Sequence, residues 1–127
     1  MKALSVKNPW AGWVCNGLKT IETRTWETSY RGDILICCSK SFDKRGPEGK
    51  YSPECYIKGM AICVVELYDI VKMTEEHQAR ACCLVYEGAY AWLLRNVRRI
   101  EPVPVFGRLG LFDVDAEIIF KTVPKKN

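Results

Sequence analysis

Histidine is nearly absent from this chain, His77 being the only one among 127 residues. Without a second imidazole, a zinc site would have to be built largely from cysteine. The seven cysteines are not spaced for that. Cys37-Cys38 and Cys82-Cys83 are adjacent, Cys15, Cys55 and Cys63 are scattered, and no C-x-x-C occurs. Their odd number also argues against a secreted disulfide framework. Those lying among Ile, Leu and Val read as small core hydrophobes. No metal and no cofactor is expected. No apolar run approaches the roughly 18 residues that span a bilayer, and Met1-Lys2-Ala3-Leu4 does not open a secretory signal. The expectation is a cytoplasmic protein with no membrane partner. A phosphate-binding glycine loop and a Ser-His-Asp pattern are missing as well. His77, beside Glu75 and Glu76 at a helix start, reads as a surface residue.

What is present suits a globular protein: 48% apolar residues, 27% charged residues and a net charge of +4. One domain over 1–127 is expected, with 124–127 as a frayed tail. The charge is a mild bias toward anionic partners.

The distinctive stretch is Gly17-Leu18-Lys19-Thr20-Ile21-Glu22-Thr23-Arg24-Thr25-Trp26. Extended from Thr20, its period of two puts Thr20, Glu22, Arg24 and Trp26 on one face and Ile21, Thr23 and Thr25 on the other. A solvated strand would turn its indole inward and its ions outward. Here an indole shares the charged face, which suits a half-open groove.

Upstream, Asn8 and Pro9 open a short helix that Gly17 closes, with Trp10, Trp13 and Val14 on one side. Ile34-Leu35-Ile36-Cys37-Cys38 reads as a central strand buried on both faces. From Phe42 to Tyr56 the chain is polar, basic and broken by glycine and proline. Gly59 to Val71 reads as a long strand, and Thr74 caps a helix running to about Cys83. Tyr90 to Leu94 reads as a strand, followed by Arg95, Arg98 and Arg99. Pro102 and Pro104 confine the next segment to an edge or loop. A turn at Phe106–Gly110 and a final strand from Ala116 to Val123 complete the reading. The fold class expected is mixed α+β and mainly β: a small barrel of about five to six strands, its ends closed by two to three short helices.

Leu4-Ser5-Val6, Asn8-Pro9-Trp10-Ala11, Gly17-x-Lys19-x-x-Glu22-x-Arg24-x-Trp26, Arg31-Gly32 and Ser39-Lys40 together resemble the ASCH domain, the activating-signal-cointegrator homology domain. Ala91-Trp92-Leu93-Leu94 and Pro104-Val105-x-Gly107 are similar to that family's second half. The resemblance covers roughly Lys2 to Asp113. It implies a PUA-like β-barrel whose cleft, lined by the G-x-K-x-x-E-x-R residues, binds RNA or a nucleobase. Some members resembling this chain are amidohydrolases of N4-acylated cytidines, and some have been described as ribonucleases. In the amidohydrolases a lysine and a threonine of the motif act with a glutamate from a later strand. Lys19 matches that lysine, Glu22 holds the threonine's position, and Glu66 stands for the later glutamate. Other members are domains of transcription coactivators, which adds a protein-interaction reading.

The resemblance and the residue chemistry give two overlapping sets. Lys19, Glu22, Arg24 and Glu66 are the catalytic candidates. Ser5, Trp10, Lys19, Glu22, Arg24, Trp26, Arg31, Lys40 and Arg108 are the candidates for contact with single-stranded RNA or a nucleotide. Lys19 serves as a base if burial depresses its pKa, or as a phosphate ligand if it stays charged. Glu22 suits an exocyclic amine, as carboxylates accept from cytosine N4, and Arg24 a phosphate or carbonyl. Trp10 and Trp26 are either stacking surfaces or core, whereas Trp13 and Trp92 read as core.

Overall fold

The computed structural model describes residues 1–121. Its elements are β1 (Lys2–Asn8), α1 (Trp10–Cys15), β2 (Ile21–Arg24), β3 (Gly32–Phe42), β4 (Met60–Lys72), α2 (Gln78–Ala81), β5 (Tyr90–Pro104), β6 (Leu111–Asp113) and α3 (Ala116–Lys121). Two 3-10 turns, Pro53–Tyr56 and Glu75–His77, complete the order.

The six strands form one mixed sheet in the order β2-β5-β4-β3-β1-β6, with β1 parallel to β3 and every other pair antiparallel. The expected barrel is corrected here, because the sheet does not close. Its end strands, β2 and β6, share no ladder, but the sheet curls until Arg24 of β2 donates to the Ser5 carbonyl of β1 at 3.0 Å. That side-chain bond lies at the seam where closure would need a run of backbone pairs.

The Ile34–Cys38 run lies at the centre and is buried on both faces, as its lack of alternation implies. Ile34, Ile36 and Cys38 join Leu4, Val6, Val65, Leu67 and Trp92 beneath α1. Leu35 and Cys37 face the other way, with Ala3, Val64, Phe112 and Ile119 of α3. Burial raises the Cys37 thiol to about 12 and the Cys38 thiol to about 11, so both are inert packing groups.

Punctuation of α1 follows the sequence. The Asn8 side chain accepts from Gly12 N–H at 3.0 Å, and Gly17 takes φ +84° just past the last turn. Gly12 is there for space. A Cβ on it would stand 2.4 Å from Cys55 Sγ and 2.9 Å from the Cys55 backbone nitrogen.

Three other expectations are corrected. The strand beginning at Tyr90 does not end at Leu94 but runs to Pro104 along β4, through a bulge at Asn96, whose φ is +56°. Leu94 N–H still donates to the Thr20 carbonyl at 3.0 Å, but beyond it no described strand pairs with β5 on its β2 side, so Pro102 and Pro104 do occupy an edge. The Thr74–Cys83 helix is split into a 3-10 turn and the four-residue α2, ended by Cys82 at φ +57°. Ala116 onward is α3, not a strand. Asp115 accepts from Glu117 N–H through its side chain and from Ile119 N–H through its carbonyl, a capping geometry that outweighs the β-branched Ile118-Ile119 pair. The remainder of that expected strand, and the tail at 124–127, lie outside the described residues. No helix among the described residues is long and apolar enough to cross a membrane.

Candidate functional site

The segment before β2 is clamped between two helices. Lys19 N–H donates to the Trp13 carbonyl of α1 at 2.9 Å, and Thr20 N–H donates to the Arg80 carbonyl of α2 at 3.0 Å. The clamp carries the Lys19 ammonium inward, where only 3% of the residue stays exposed. Its Nζ donates to the Ala81 carbonyl, lies 5.4 Å from the Trp10 ring centre, and is 3.7 Å from Glu22 Oε1.

Within β2 the alternation read from sequence holds. Ile21 enters an apolar cluster with Met73, Ala81, Ala89 and Ala91, while Glu22 faces the cations. Glu22 is 5% exposed. Its Oε1 accepts from Thr23 N–H at 2.9 Å and lies 3.4 Å from Arg24 Nη1. Its Oε2 is buried and accepts nothing among the described residues. Arg24 is fixed by two carbonyls, Thr23 at 2.9 Å and Ser5 at 3.0 Å. Ser5 Oγ, like Glu22 Oε2, is buried without a partner among the described residues. Gly107 presses on it, since a Cβ there would lie 2.5 Å from that oxygen.

Ser5, Trp10, Lys19, Glu22 and Arg24 thus form one connected group at the sheet's seam. Two cations flank one carboxylate, a local excess of positive charge on a half-open indole. The other candidates are placed elsewhere. Trp26 packs edge-on against Trp92 at 4.8 Å, and its carbonyl accepts from Trp92 Nε1. Arg31 donates to Thr28 and Tyr30 carbonyls and pairs with Asp69. Lys40 lies over the Phe106 ring at 5.9 Å, and Arg108 is exposed in the turn after Gly107. Glu66 pairs with Arg95 at 2.8 Å. None of Trp26, Arg31, Lys40, Glu66 and Arg108 contacts Lys19, Glu22 or Arg24 through an ion pair or side-chain hydrogen bond among the described residues. The Arg95, Arg98 and Arg99 cluster is likewise committed, to Glu66, Asp33 and Glu54.

Two contributors escape sequence reasoning. The Ala81 carbonyl is backbone and carries no residue-type signal. Asp43 sits in what reads as a polar linker, but it is buried, accepts from Trp10 Nε1 at 2.9 Å and orients that indole over Lys19. The Arg45 guanidinium, donating to the Asp43 carboxylate at 3.0 Å, holds its pKa well below the usual carboxylate range, and Trp10 adds to this. A depressed folded pKa stabilises the protein above the unfolded value, near about pH 4. That contribution is lost as pH falls below it toward the folded pKa. Asp43→Asn is therefore expected to unfold more easily than the parent at neutral pH, with the gap narrowing below about pH 4. Urea midpoints across that range check this, and a gap independent of pH would contradict it.

No three His, Cys, Asp or Glu side chains among the described residues are grouped to hold a metal ion. The fold is similar to that of ASCH from Zymomonas mobilis in its crystal structure, at 17% identity and a TM-score of 0.65, over 95% of this chain and 92% of that one. A point mutant of the same Zymomonas protein gives 16% identity and a TM-score of 0.66, over 97% and 96%. No curated protein sequence matches the chain. The ASCH domain profile matches residues 4–104, which run from within β1 to the end of β5 and include every member of the connected group. The chain belongs to the ASCH domain family, a PUA-like fold.

Proposed function

We propose that the seam site binds a nucleotide, free or within single-stranded RNA, and that Glu22 reads an amino group on its base. One observation carries this reading. Glu22 Oε2 is a buried carboxylate oxygen without a donor among the described residues, beside an ammonium and a guanidinium that already face Oε1. Leaving such an atom unsatisfied costs about 1–3 kcal/mol or more for a charged group, and an exocyclic amine supplies the missing donor. Trp10, half-buried and held by Asp43, offers a ring for the base, while Arg24 and the Lys19 ammonium attract the phosphate.

A hydrolytic role for the same residues asks Lys19 and Glu22 to exchange a proton with substrate. Lys19 is engaged by the Ala81 carbonyl, and Glu66 is engaged by Arg95. Binding asks for no proton transfer from either group, so it is the reading preferred.

The test is fluorescence anisotropy of a labelled short single-stranded RNA at increasing salt. Affinity should fall with a log–log slope of about −1.5 to −3, reflecting a few phosphate contacts at about 0.7 each. No binding, or binding indifferent to salt, would contradict the proposal.

A further inference from the structure

Beyond the seam, aromatic rings continue outward in sequence of contact. Trp10 meets Trp13 at 5.3 Å, Trp13 meets Tyr51 at 5.9 Å, and Tyr51 meets Tyr56 at 6.3 Å, with Phe42 on the flank of Tyr51 at 5.6 Å. Neighbouring planes are tilted by 51–81° rather than stacked, so the rings do not blanket each other face to face. Trp10, Trp13, Phe42 and Tyr51 are half-buried, and Tyr56 is 56% exposed. A core would hide such rings; here α1 supplies Trp10 and Trp13, β3 ends in Phe42, and the segment after it brings Tyr51 and Tyr56 alongside.

The segment 42–58, which supplies Phe42, Tyr51 and Tyr56, is mildly basic. Lys44, Lys50 and Lys58 are exposed and have no acidic partner among the described residues, whereas Asp43 and Glu54 are committed to Arg45 and Arg99; Glu48 is exposed and also unpaired there, which leaves three ammonium groups against one carboxylate. Rings interleaved with free ammonium groups suit successive bases on a phosphate backbone.

We infer that this row is a stacking track for nucleotides flanking the one in the seam, so that the partner is a single-stranded RNA segment rather than a free nucleotide. The inference rests on the reading of the seam site given above. The first base lies at Trp10, and neighbouring bases follow Trp13, Tyr51 and Tyr56 along the Phe42–Tyr56 surface. The track is anchored at both ends: Asp43 N–H donates to the Asn8 carbonyl at 2.7 Å, and Cys55 packs into α1 beside Gly12.

The experiment compares cytidine monophosphate with a cytidine oligomer of about six nucleotides, within the usual range of single-strand site sizes. The oligomer should bind the parent protein more tightly. Tyr56→Ala and Trp13→Ala should each cut the oligomer's advantage over the monophosphate by roughly 5- to 100-fold, the alanine cost of one stacked base. Tyr56→Phe, which keeps the ring, should retain most of it. Circular dichroism confirms that each variant is folded. Equal affinity for monomer and oligomer, unchanged in the variants, would overturn the track and leave the seam site standing. Failure of both to bind would overturn the seam site and the track with it. Capture of a proline-rich peptide by these rings, with the oligomer ignored, would reassign them to polyproline recognition and overturn the track.

Discussion

Glu22→Ala is expected to lower the unfolding free energy by about 3–5 kcal/mol, the cost of removing one partner from a buried ion pair. The variant leaves the Lys19 ammonium 3% exposed, with the Ala81 carbonyl and the Trp10 ring as its remaining neighbours. It also frees Arg24 from its carboxylate at 3.4 Å and Thr23 N–H from its acceptor. Glu22→Gln keeps the shape and the acceptor for Thr23, so its loss should be smaller. Urea unfolding at neutral pH measures both. A loss below about 1 kcal/mol for the alanine variant would place the pair in the class of solvated ion pairs and contradict the account.

Trp92→Ala should be comparably damaging, at about 3–5 kcal/mol for a large side chain removed from a core. The residue is 0% exposed and stands opposite Glu22 in the β2–β5 ladder. Its ring supports Trp26 edge-on at 4.8 Å, and its Nε1 satisfies the Trp26 carbonyl at 3.2 Å. Truncation leaves a cavity, an orphaned carbonyl and a β2 strand without its backing. Trp92→Phe retains a ring and should lose less. Thermal unfolding separates these outcomes, and an alanine variant within about 1 kcal/mol of the parent would remove Trp92 from the core.

What was legible in the chain follows from where its signals are local. Asn8 and Gly17 bracket α1 because capping is decided within a turn, and the Ile34–Cys38 run announces a strand buried on both sides. The face shared by Glu22 and Arg24 also came through, since period-two alternation survives in β2. Closure did not, because it depends on how the two end strands of a curled sheet meet. The Arg24–Ser5 side-chain hydrogen bond stands where a ladder would be needed. The length of β5 was hidden by Pro102 and Pro104, whose missing N–H groups do no harm on the side that faces no strand. At Ala116 the sequence reads as a strand, whereas in the fold Asp115 caps a helix that begins there. The site was legible only in its side chains. The Ala81 carbonyl that takes the Lys19 ammonium, and the burial of Asp43 behind Trp10, arise from tertiary placement alone.

The proposal that Glu22 Oε2, without a donor among the described residues, selects an amino-bearing base is tested most directly by the preference among bases. Equilibrium binding of short cytidine, adenosine and uridine oligomers should be compared for the parent protein and for Glu22→Gln, with folding verified for the variant. Cytosine and adenine present an amino group where uracil presents an oxygen. The parent protein should favour the cytidine and adenosine oligomers over uridine by about 1–3 kcal/mol, the usual value of a well-placed base contact. Glu22→Gln should erase most of that difference. Equal affinity for all three in the parent, or a preference that Glu22→Gln leaves intact, would show that Glu22 does not read the base.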